Sequence, residues 1–158
     1  MTVYFLKQKS HAAQKVIDYI AYLRARGKSP CRIRMDHGTE FINTNLRNSC
    51  DVQGITLQMT APYLPSQNGV AECMNRTLEE LGHAMLTGAS LPEFLWELAI
   101  EHAVYLHNQL FTTALPDVTP YQVWNGRKPN VLHLRKFRAP VWILLQGQHI
   151  QRKMLPKA

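Results

Sequence analysis

Along the first sixty positions, segments with the hydrophobic pattern of a β-strand alternate with segments that have the hydrophobic pattern of an α-helix. Residues 2–7 (TVYFLK) are β-branched and aromatic, which predicts a strand buried on both faces. Apolar residues then recur at helical spacing from Ala13 to Ala21, after Ser10 as a predicted N-cap and before Gly27 as a stop. The pattern therefore predicts a strand followed by an amphipathic helix.

The next segments repeat this order. The run CRIRM (residues 31–35) alternates as a strand leading to Asp36, and NTNLRNSCDVQG (residues 43–54) suits a short helix closed by Gly54. ITLQM (residues 55–59) returns to strand. An alternation of strands and helices predicts an α/β fold with parallel strand pairing.

A loop rich in proline, APYLPSQNG (residues 61–69), separates this half from a helical second half. Two helices are predicted, one for residues 70–86 and one from Leu91-Pro92 to about Gln109. A helical turn closed by Gly126 and a strand at residues 139–145 are predicted to follow. The predicted apolar side of the first of these helices consists of Val70, Met74, Thr77, Leu81, Ala84 and Met85.

Composition narrows the class of protein. The 158 residues suit one globular domain, and no apolar run approaches the roughly 20 residues of a membrane span. Lys and Arg outnumber Asp and Glu by 18 to 11, and the net charge of +7 favours a polyanionic partner such as nucleic acid without establishing one. Cys31, Cys50 and Cys73 form neither a disulfide framework nor a zinc pattern, which predicts an intracellular, reducing location.

Two acidic residues stand at positions where chemistry is expected. Asp36 follows a predicted strand, Glu72 lies near the start of a predicted helix, and 35 residues separate them. Enzymes that cut or join phosphodiesters hold divalent cations between carboxylates from separate elements. The alternative is that Asp36 caps a turn and Glu72 forms a surface ion pair with Arg76 at i,i+4. Spacing alone leaves both interpretations open.

The sequence motifs around these two acidic residues resemble those of a known family. RMDHGTEF (residues 34–41) and APYLPSQNGVAECMNRTL (residues 61–78) closely resemble the segments that carry the second and third acids in integrase catalytic cores of copia-type long-terminal-repeat retrotransposons. Asp36 and Glu72 match those two acids at the family's spacing. The resemblance continues through LPEFLWELAIEHAVYLHNQL (residues 91–110) and TPYQVWNGRKPNVLHLRKF (residues 119–137), so it covers nearly the whole chain.

The resemblance implies a fold and a reaction. The fold is an RNase H-like α/β core with a mixed β-sheet flanked by helices: residues 1–110 would form a partial core, and residues 111–158 a C-terminal helical extension with a short β segment. Asp36 and Glu72 would be catalytic residues and ligands for Mg²⁺ or Mn²⁺. The family reaction is metal-dependent 3′-processing and strand transfer of DNA.

The resemblance also implies partners. Tyr63, Gln67, Asn68 and Arg76 would contact DNA, although the first three are equally suited to holding their loop together. Retrotransposon ends and target DNA are the expected substrates, a homo-oligomer is compatible with the family, and a functional protein would act in the nucleus. No membrane association is expected.

Several positions depart from the family pattern. The family's first catalytic Asp lies on a strand upstream of residues 2–7, and residues 2–10 contain no carboxylate. We therefore expect the chain to lack the first strand and first acid, and to be inactive alone. His37, Thr39 and Cys73 also replace residues usual in the family. The alternatives are a non-catalytic nucleic-acid-binding remnant of a degenerate element, or a reading frame without a role.

Overall fold

The computed structural model describes residues 1–36, 38, 40, 41, 43–60 and 69–142. Short 3₁₀ turns at Lys9–His11 and Glu93–Leu95 lead directly into two of the helices. Within this part of the chain, no helix has both the length and the apolar composition that crossing a bilayer requires. In chain order the elements are α1 (Ala12–Arg24), β1 (Arg32–Met35), α2 (Thr44–Val52), β2 (Thr56–Met59), α3 (Gly69–Gly88), α4 (Trp96–Gln109) and α5 (Pro120–Asn125).

Strands β1 and β2 pair in parallel, as the alternation of elements predicted. Their register runs from Arg32 opposite Thr56 to Met35 opposite Met59. Helix α2 makes the crossover between them, and the side chain of Asn43 caps its N terminus by accepting from the backbone N–H groups of residues 45 and 46. In the described residues these two strands are the whole sheet.

A first apolar core forms between this sheet and helices α1 and α2. The most deeply buried side chains in it are Ile20, Leu46 and Cys50. Helix α1 ends as predicted, because Gly27 adopts a φ of +68°, which a residue without a Cβ reaches at no steric cost. The predicted N-cap is wrong: Ser10 lies in the preceding 3₁₀ turn, and its hydroxyl donates to the side chain of Gln8.

A second core lies between helices α3 and α4. The buried side of α3 consists of Leu78, Gly82 and Leu86, at intervals of four residues. The predicted apolar side is therefore wrong for much of its length, since Val70 is 84% exposed and Leu81 is also exposed. Gly82 is the small residue of this face, and the side chain of Ile100 on α4 packs over it.

Residues 2–7 do not form the predicted strand. No ladder partner lies beside them among the described residues, and a lone strand leaves its backbone groups unpaired. The segment instead docks on helices: Val3 packs against the second core, and the ring of Phe5 meets that of Trp96 edge to face with centroids 5.3 Å apart. It is half-buried on one side, whereas burial on both faces was expected.

The region after α4 follows its local signals only in part. Helix α5 is capped by the Thr119 hydroxyl, which accepts from the Gln122 N–H, and ends at Gly126 with a φ of +71°, as predicted. The strand predicted for residues 139–145 is absent from 139–142, where Pro140 has no N–H to donate to a ladder. Residues 143–145 lie outside the described part of the chain.

Candidate metal and nucleic-acid site

Asp36 directly follows β1 and is exposed to solvent. Its Oδ1 accepts a hydrogen bond from the backbone N–H of Gly38 at 3.1 Å. The carbonyl of Gly38 in turn accepts from the N–H of Phe41 at 2.9 Å, which closes a turn. The carboxylate is therefore held at the end of the strand, and the turn-capping role considered for Asp36 is compatible with a ligand role, because a carboxylate has further lone pairs.

Gly38 lies close to the carboxyl groups of Asp36 and Glu40, so a side chain there would require them to shift. A Cβ built on it would lie 2.8 Å from the Glu40 carboxyl group and 3.0 Å from Oδ1 of Asp36. Gly38 is thus a positioning residue that sequence reasoning did not assign. The glycine two residues after the acid is a visible signal for such a turn, but the close approach emerges only in three dimensions.

Glu72 lies in the first turn of α3 and is also exposed. The N-terminal end of a helix favours a carboxylate electrostatically. Arg76, one turn later, donates to the Cys73 sulfur at 3.7 Å. The surface ion pair considered between Glu72 and Arg76 does not form, and the ion pair found among the described residues joins Lys15 to Asp18.

The sheet relates the two acids through its topology. The N–H of Thr60 donates to the carbonyl of Met35 at 3.0 Å, so the pairing extends to the residues level with Asp36. The carboxyl ends of the two parallel strands lie on the same side of the sheet. In α/β sheets, ligands bind at this end of the strands. Asp36 stands at that end of the sheet, and Glu72 lies in the first turn of α3, the next described element after β2.

Three of the predicted DNA-contacting residues, Tyr63, Gln67 and Asn68, lie outside the described residues, as do His37 and Thr39. The fourth, Arg76, is exposed on α3. Within the described ranges no cluster of three or more His, Cys, Asp or Glu side chains is arranged to hold a metal. The site as described therefore consists of two exposed carboxylates, one directly after β1 and one in the first turn of α3.

Basic side chains accompany the strand that leads to Asp36. Arg32 and Arg34 are both exposed on β1. The guanidinium of Arg34 donates twice to Oε1 of Gln58 on β2, at 3.1 and 3.3 Å, which holds it flat on the sheet. Two exposed positive charges thus precede Asp36 on β1, and that of Arg34 is hydrogen-bonded across the sheet.

Known proteins resemble the chain both in sequence and in fold. It is 35% identical over 136 residues to a retrovirus-related Pol polyprotein from transposon TNT 1-94 of Nicotiana tabacum. The aligned residues are 85% of this chain and 10% of the polyprotein. It is 33% identical over 150 residues to that from transposon RE1 of Arabidopsis thaliana, 93% of this chain and 10% of the polyprotein. The chain spans about a tenth of the length of these curated relatives.

Solved structures support the same relationship. A chain of the simian T-cell lymphotropic virus intasome, solved with PP2A regulatory subunit B56 gamma, superimposes with a TM-score of 0.58 at 21% identity, covering 92% of this chain and 49% of that one. The HTLV-2 integrase catalytic core in complex with magnesium, in a trimeric form, gives 0.54 at 20% identity over 74% and 71% of the two chains.

The BIV integrase catalytic core gives a TM-score of 0.51 at 25% identity over 75% of this chain and 73% of that one. No protein-family model matches the sequence. The sequence relatives and the structural neighbours nevertheless agree with each other, and with the motifs around Asp36 and Glu72. The chain is therefore a homologue of a segment of the copia-type retrotransposon Pol polyproteins, and its fold is the α/β, RNase H-like fold of retroviral integrase catalytic cores.

Proposed function

We propose that the chain is the part of a DNA-integrating core in which Asp36 and Glu72 serve as two carboxylate ligands for a divalent cation, Mg²⁺ or Mn²⁺. The observation that carries this proposal is topological: β1 and β2 are parallel and end on the same side of the sheet, Asp36 directly follows β1, and Glu72 comes after β2 along the chain. A magnesium-bound integrase core among the structural neighbours supports it.

The residues present fit such an ion in their chemistry. Mg²⁺ and Mn²⁺ prefer hard oxygen ligands, and both candidate side chains are exposed carboxylates on regular elements. When bound, such an ion would polarise a phosphodiester and stabilise its leaving oxygen. Asp36 would be held in place by the Gly38 N–H, and Glu72 by its position in the first turn of α3.

DNA is the proposed substrate, with element ends and target DNA as the two partners. Tyr63, Gln67, Asn68 and Arg76 are proposed to contact it next to the acids. The exposed guanidinium of Arg76 suits a phosphate, because it is a permanent cation without a carboxylate partner at i−4. Arg32 and Arg34 would extend the same electropositive surface along β1.

The experiment for this proposal is a calorimetric Mn²⁺ titration of the full chain. Asp36→Asn and Glu72→Gln are each expected to lower the affinity about tenfold or more, since each removes one charged ligand. Glu80→Gln is the matched control, because Glu80 is exposed on the same helix two turns after Glu72. An affinity that neither ligand variant changes would refute the site.

We further propose that the chain alone does not join DNA. Residues 2–10 contain no carboxylate to match the family's first acid, so two of the three metal-binding acids would act without the third. A strand-transfer assay on the 158-residue chain is expected to give no product. Metal-dependent joining that Asp36→Asn abolishes would contradict this inactivity while supporting the proposed ligands.

A second candidate function is nucleic-acid binding without catalysis. The net charge of +7 and the exposed arginines of β1 favour it. This function predicts DNA binding that responds neither to Mg²⁺ nor to Asp36→Asn. Binding that Mg²⁺ strengthens in the original chain but not in Asp36→Asn would favour the first proposal.

A further inference from the structure

A cavity of about 340 Å³ opens between α3 and the start of α4, on residues other than the two candidate acids. Its volume lies at the lower end of the range for small-molecule sites, so it suits one inserted side chain rather than a folded surface. The buried Leu86 and the side chain of Ile100 contribute to its apolar lining. The rest of the lining is acidic and aromatic.

Two carboxylates line this cavity from different elements. Glu79 belongs to α3, and Glu93 to the 3₁₀ turn that leads into α4. Both are exposed, and neither forms an ion pair in the part of the chain that the structure describes. Of the described residues that line the cavity, none is a Lys or Arg, and His83 is the one other titratable side chain. The cavity is therefore a locally acidic place on a chain with a net charge of +7.

An indole side chain completes the lining. Trp96, the first residue of α4, lines the cavity and is 51% exposed, so half of its surface is open to a ligand. Its edge-to-face contact with the ring of Phe5 supports the indole from the protein. Trp96 thus offers an accessible aromatic surface beside the two carboxylates.

Elsewhere in the described chain, exposed aromatic rings have cations of the same protein placed on them. The guanidinium of Arg26 lies 3.9 Å from the ring centroid of Tyr22. The ammonium of Lys28 lies 3.6 Å from the ring centroid of Trp124. Among the described residues, Trp96 has no such cation. The positive charge that would complement this ring and its two carboxylates is therefore missing from the described residues.

We propose that this cavity binds the arginine side chain of a peptide or protein partner. A guanidinium stacks on an indole ring and is attracted by its electron-rich face. Its five N–H donors can serve two carboxylates that approach from different elements, whereas the ammonium of lysine is a strongly hydrated point charge. The apolar lining suits the methylene groups of the arginine stem.

The surface next to the cavity favours a peptide over a free polyamine. Phe94 and Leu98, two positions before and after Trp96, are 76% and 57% exposed. Apolar neighbours of an arginine in a peptide can cover such surface, and a polyamine has no groups to do so. Because the chain as a whole repels cations, the attraction is confined to the cavity.

The test is an NMR titration of the full ¹⁵N-labelled chain with a short blocked peptide that has arginine at its centre and leucine on either side. The indole N–H signal of Trp96, identified by its loss in Trp96→Phe, is expected to shift as the peptide is added. The signal of Trp142, which is 77% exposed and does not line the cavity, should stay in place. A Trp96 signal that does not move at millimolar peptide concentration would overturn the proposal.

Two variants locate the effect in the cavity. Glu79→Gln and Glu93→Gln are each expected to weaken binding about two- to fivefold, because each removes one exposed carboxylate partner. Both positions are exposed, so the fold should persist. The matched controls are Glu80→Gln and Glu97→Gln, which make the same change of charge at exposed positions outside the cavity. Equal weakening in all four variants, or none in the two cavity variants, would refute the assignment.

Two further peptides separate recognition of a guanidinium from attraction of any charge. Citrulline in place of arginine keeps the shape without the charge and is expected to bind about tenfold more weakly. Lysine keeps the charge without the planar fork and is expected to bind severalfold more weakly. Either peptide binding as tightly as the arginine peptide would contradict the proposal. Spermidine should displace the arginine peptide only weakly, and displacement at the affinity of the peptide would assign the cavity to a free polyamine instead.

Discussion

Single residues at the end of β1 decide where a carboxylate is presented. Asp36 leaves the strand exposed, and the Gly38 N–H fixes its Oδ1 in a tight turn. The glycine leaves room there, because a Cβ would come within 3.0 Å of the carboxyl groups of both Asp36 and Glu40. The acid and the glycine therefore form one unit, and a change at either position acts on the same oxygen atoms.

Gly38→Ala is expected to lower Mn²⁺ affinity about tenfold, because the added methyl group displaces the Asp36 carboxylate from its turn. Calorimetric titration measures the change, with thermal unfolding as a check on folding. Gly88→Ala is the control, since a Cβ at Gly88 meets nothing within 4 Å. Wild-type affinity in folded Gly38→Ala protein would show that the turn does not position the acid.

The thiol of Cys50 is a second residue whose setting has a measurable consequence. Burial in the first core, and secondarily the nearby charge of Asp51, raise the pKa of this thiol above its ordinary value. The unfolded chain therefore loses the proton at a lower pH than the folded chain does. The contribution of this thiol to the free energy of unfolding is fully present below the ordinary thiol pKa of about 8.5. It is lost as the pH rises from there through the raised pKa of the folded protein.

Urea unfolding at pH 7.5 and at about pH 9.5 is expected to show this loss of stability. Cys50→Ala should reduce the difference between the two pH values, whatever its effect on stability at pH 7.5. Cys31→Ala is the matched control, because Cys31 is exposed. The same pH dependence in all three proteins would assign the loss to other groups.

At the scale of elements, the packing of α3 on α4 depends on one small residue. A Cβ on Gly82 would lie 2.8 Å from Cδ1 of Ile100, so the glycine leaves the space that the Ile100 side chain occupies between the two helices. The face that α3 buries includes this contact together with Leu78 and Leu86, whereas the apolar Val70 remains exposed. Packing geometry overrides the hydrophobic pattern here.

Gly82→Leu is expected to destabilise the protein by about 1–3 kcal/mol, because the larger side chain must push Ile100 and the helices apart. The free energy of unfolding from urea titration measures the effect. Gly88→Leu, at an exposed position on the same helix, should leave stability nearly unchanged. A Gly82→Leu protein as stable as the control would show that the interface accommodates a larger side chain.

At the scale of the whole molecule, the N-terminal segment joins the two cores. Val3 packs against the α3–α4 core, while the ring of Tyr4 meets that of Tyr19 on α1 with centroids 6.0 Å apart. The same molecule carries a net charge of +7. Charge of this size acts over the whole surface and governs how a polyanion is attracted, whichever site then holds it.

DNA affinity is accordingly expected to fall about tenfold or more between about 50 and 200 mM salt, because bound phosphates release their counterions. Anisotropy with a labelled duplex measures the slope. Arg34→Gln on β1 should weaken binding and reduce the slope, whereas Lys9→Gln, in the 3₁₀ turn away from the sheet, should change it less. Affinity that does not vary with salt would exclude an electrostatic DNA-binding surface.

Local chemistry in the sequence was enough to predict most elements of this protein. Three glycines predicted the ends of helices that the structure confirms: Gly27, Gly54 and Gly126. The alternating runs of β1 and β2 predicted two parallel strands, which the structure also confirms. Motifs around Asp36 and Glu72 predicted the family and the RNase H-like fold, and the similarity to Pol polyproteins and integrase cores confirms both. Such features depend on residues close together in the chain, so they can be read without a fold.

Only the tertiary structure decided which surfaces meet. Residues 2–7 have the composition of a strand but pack on helices, because a strand exists only with a partner beside it. The buried face of α3, which contains Leu78, Gly82 and Leu86, is the one that packs on α4, and the positions predicted as its apolar side are largely exposed. These outcomes depend on contacts between residues far apart in the chain, and the physical cause in each case is the partner that folding places there.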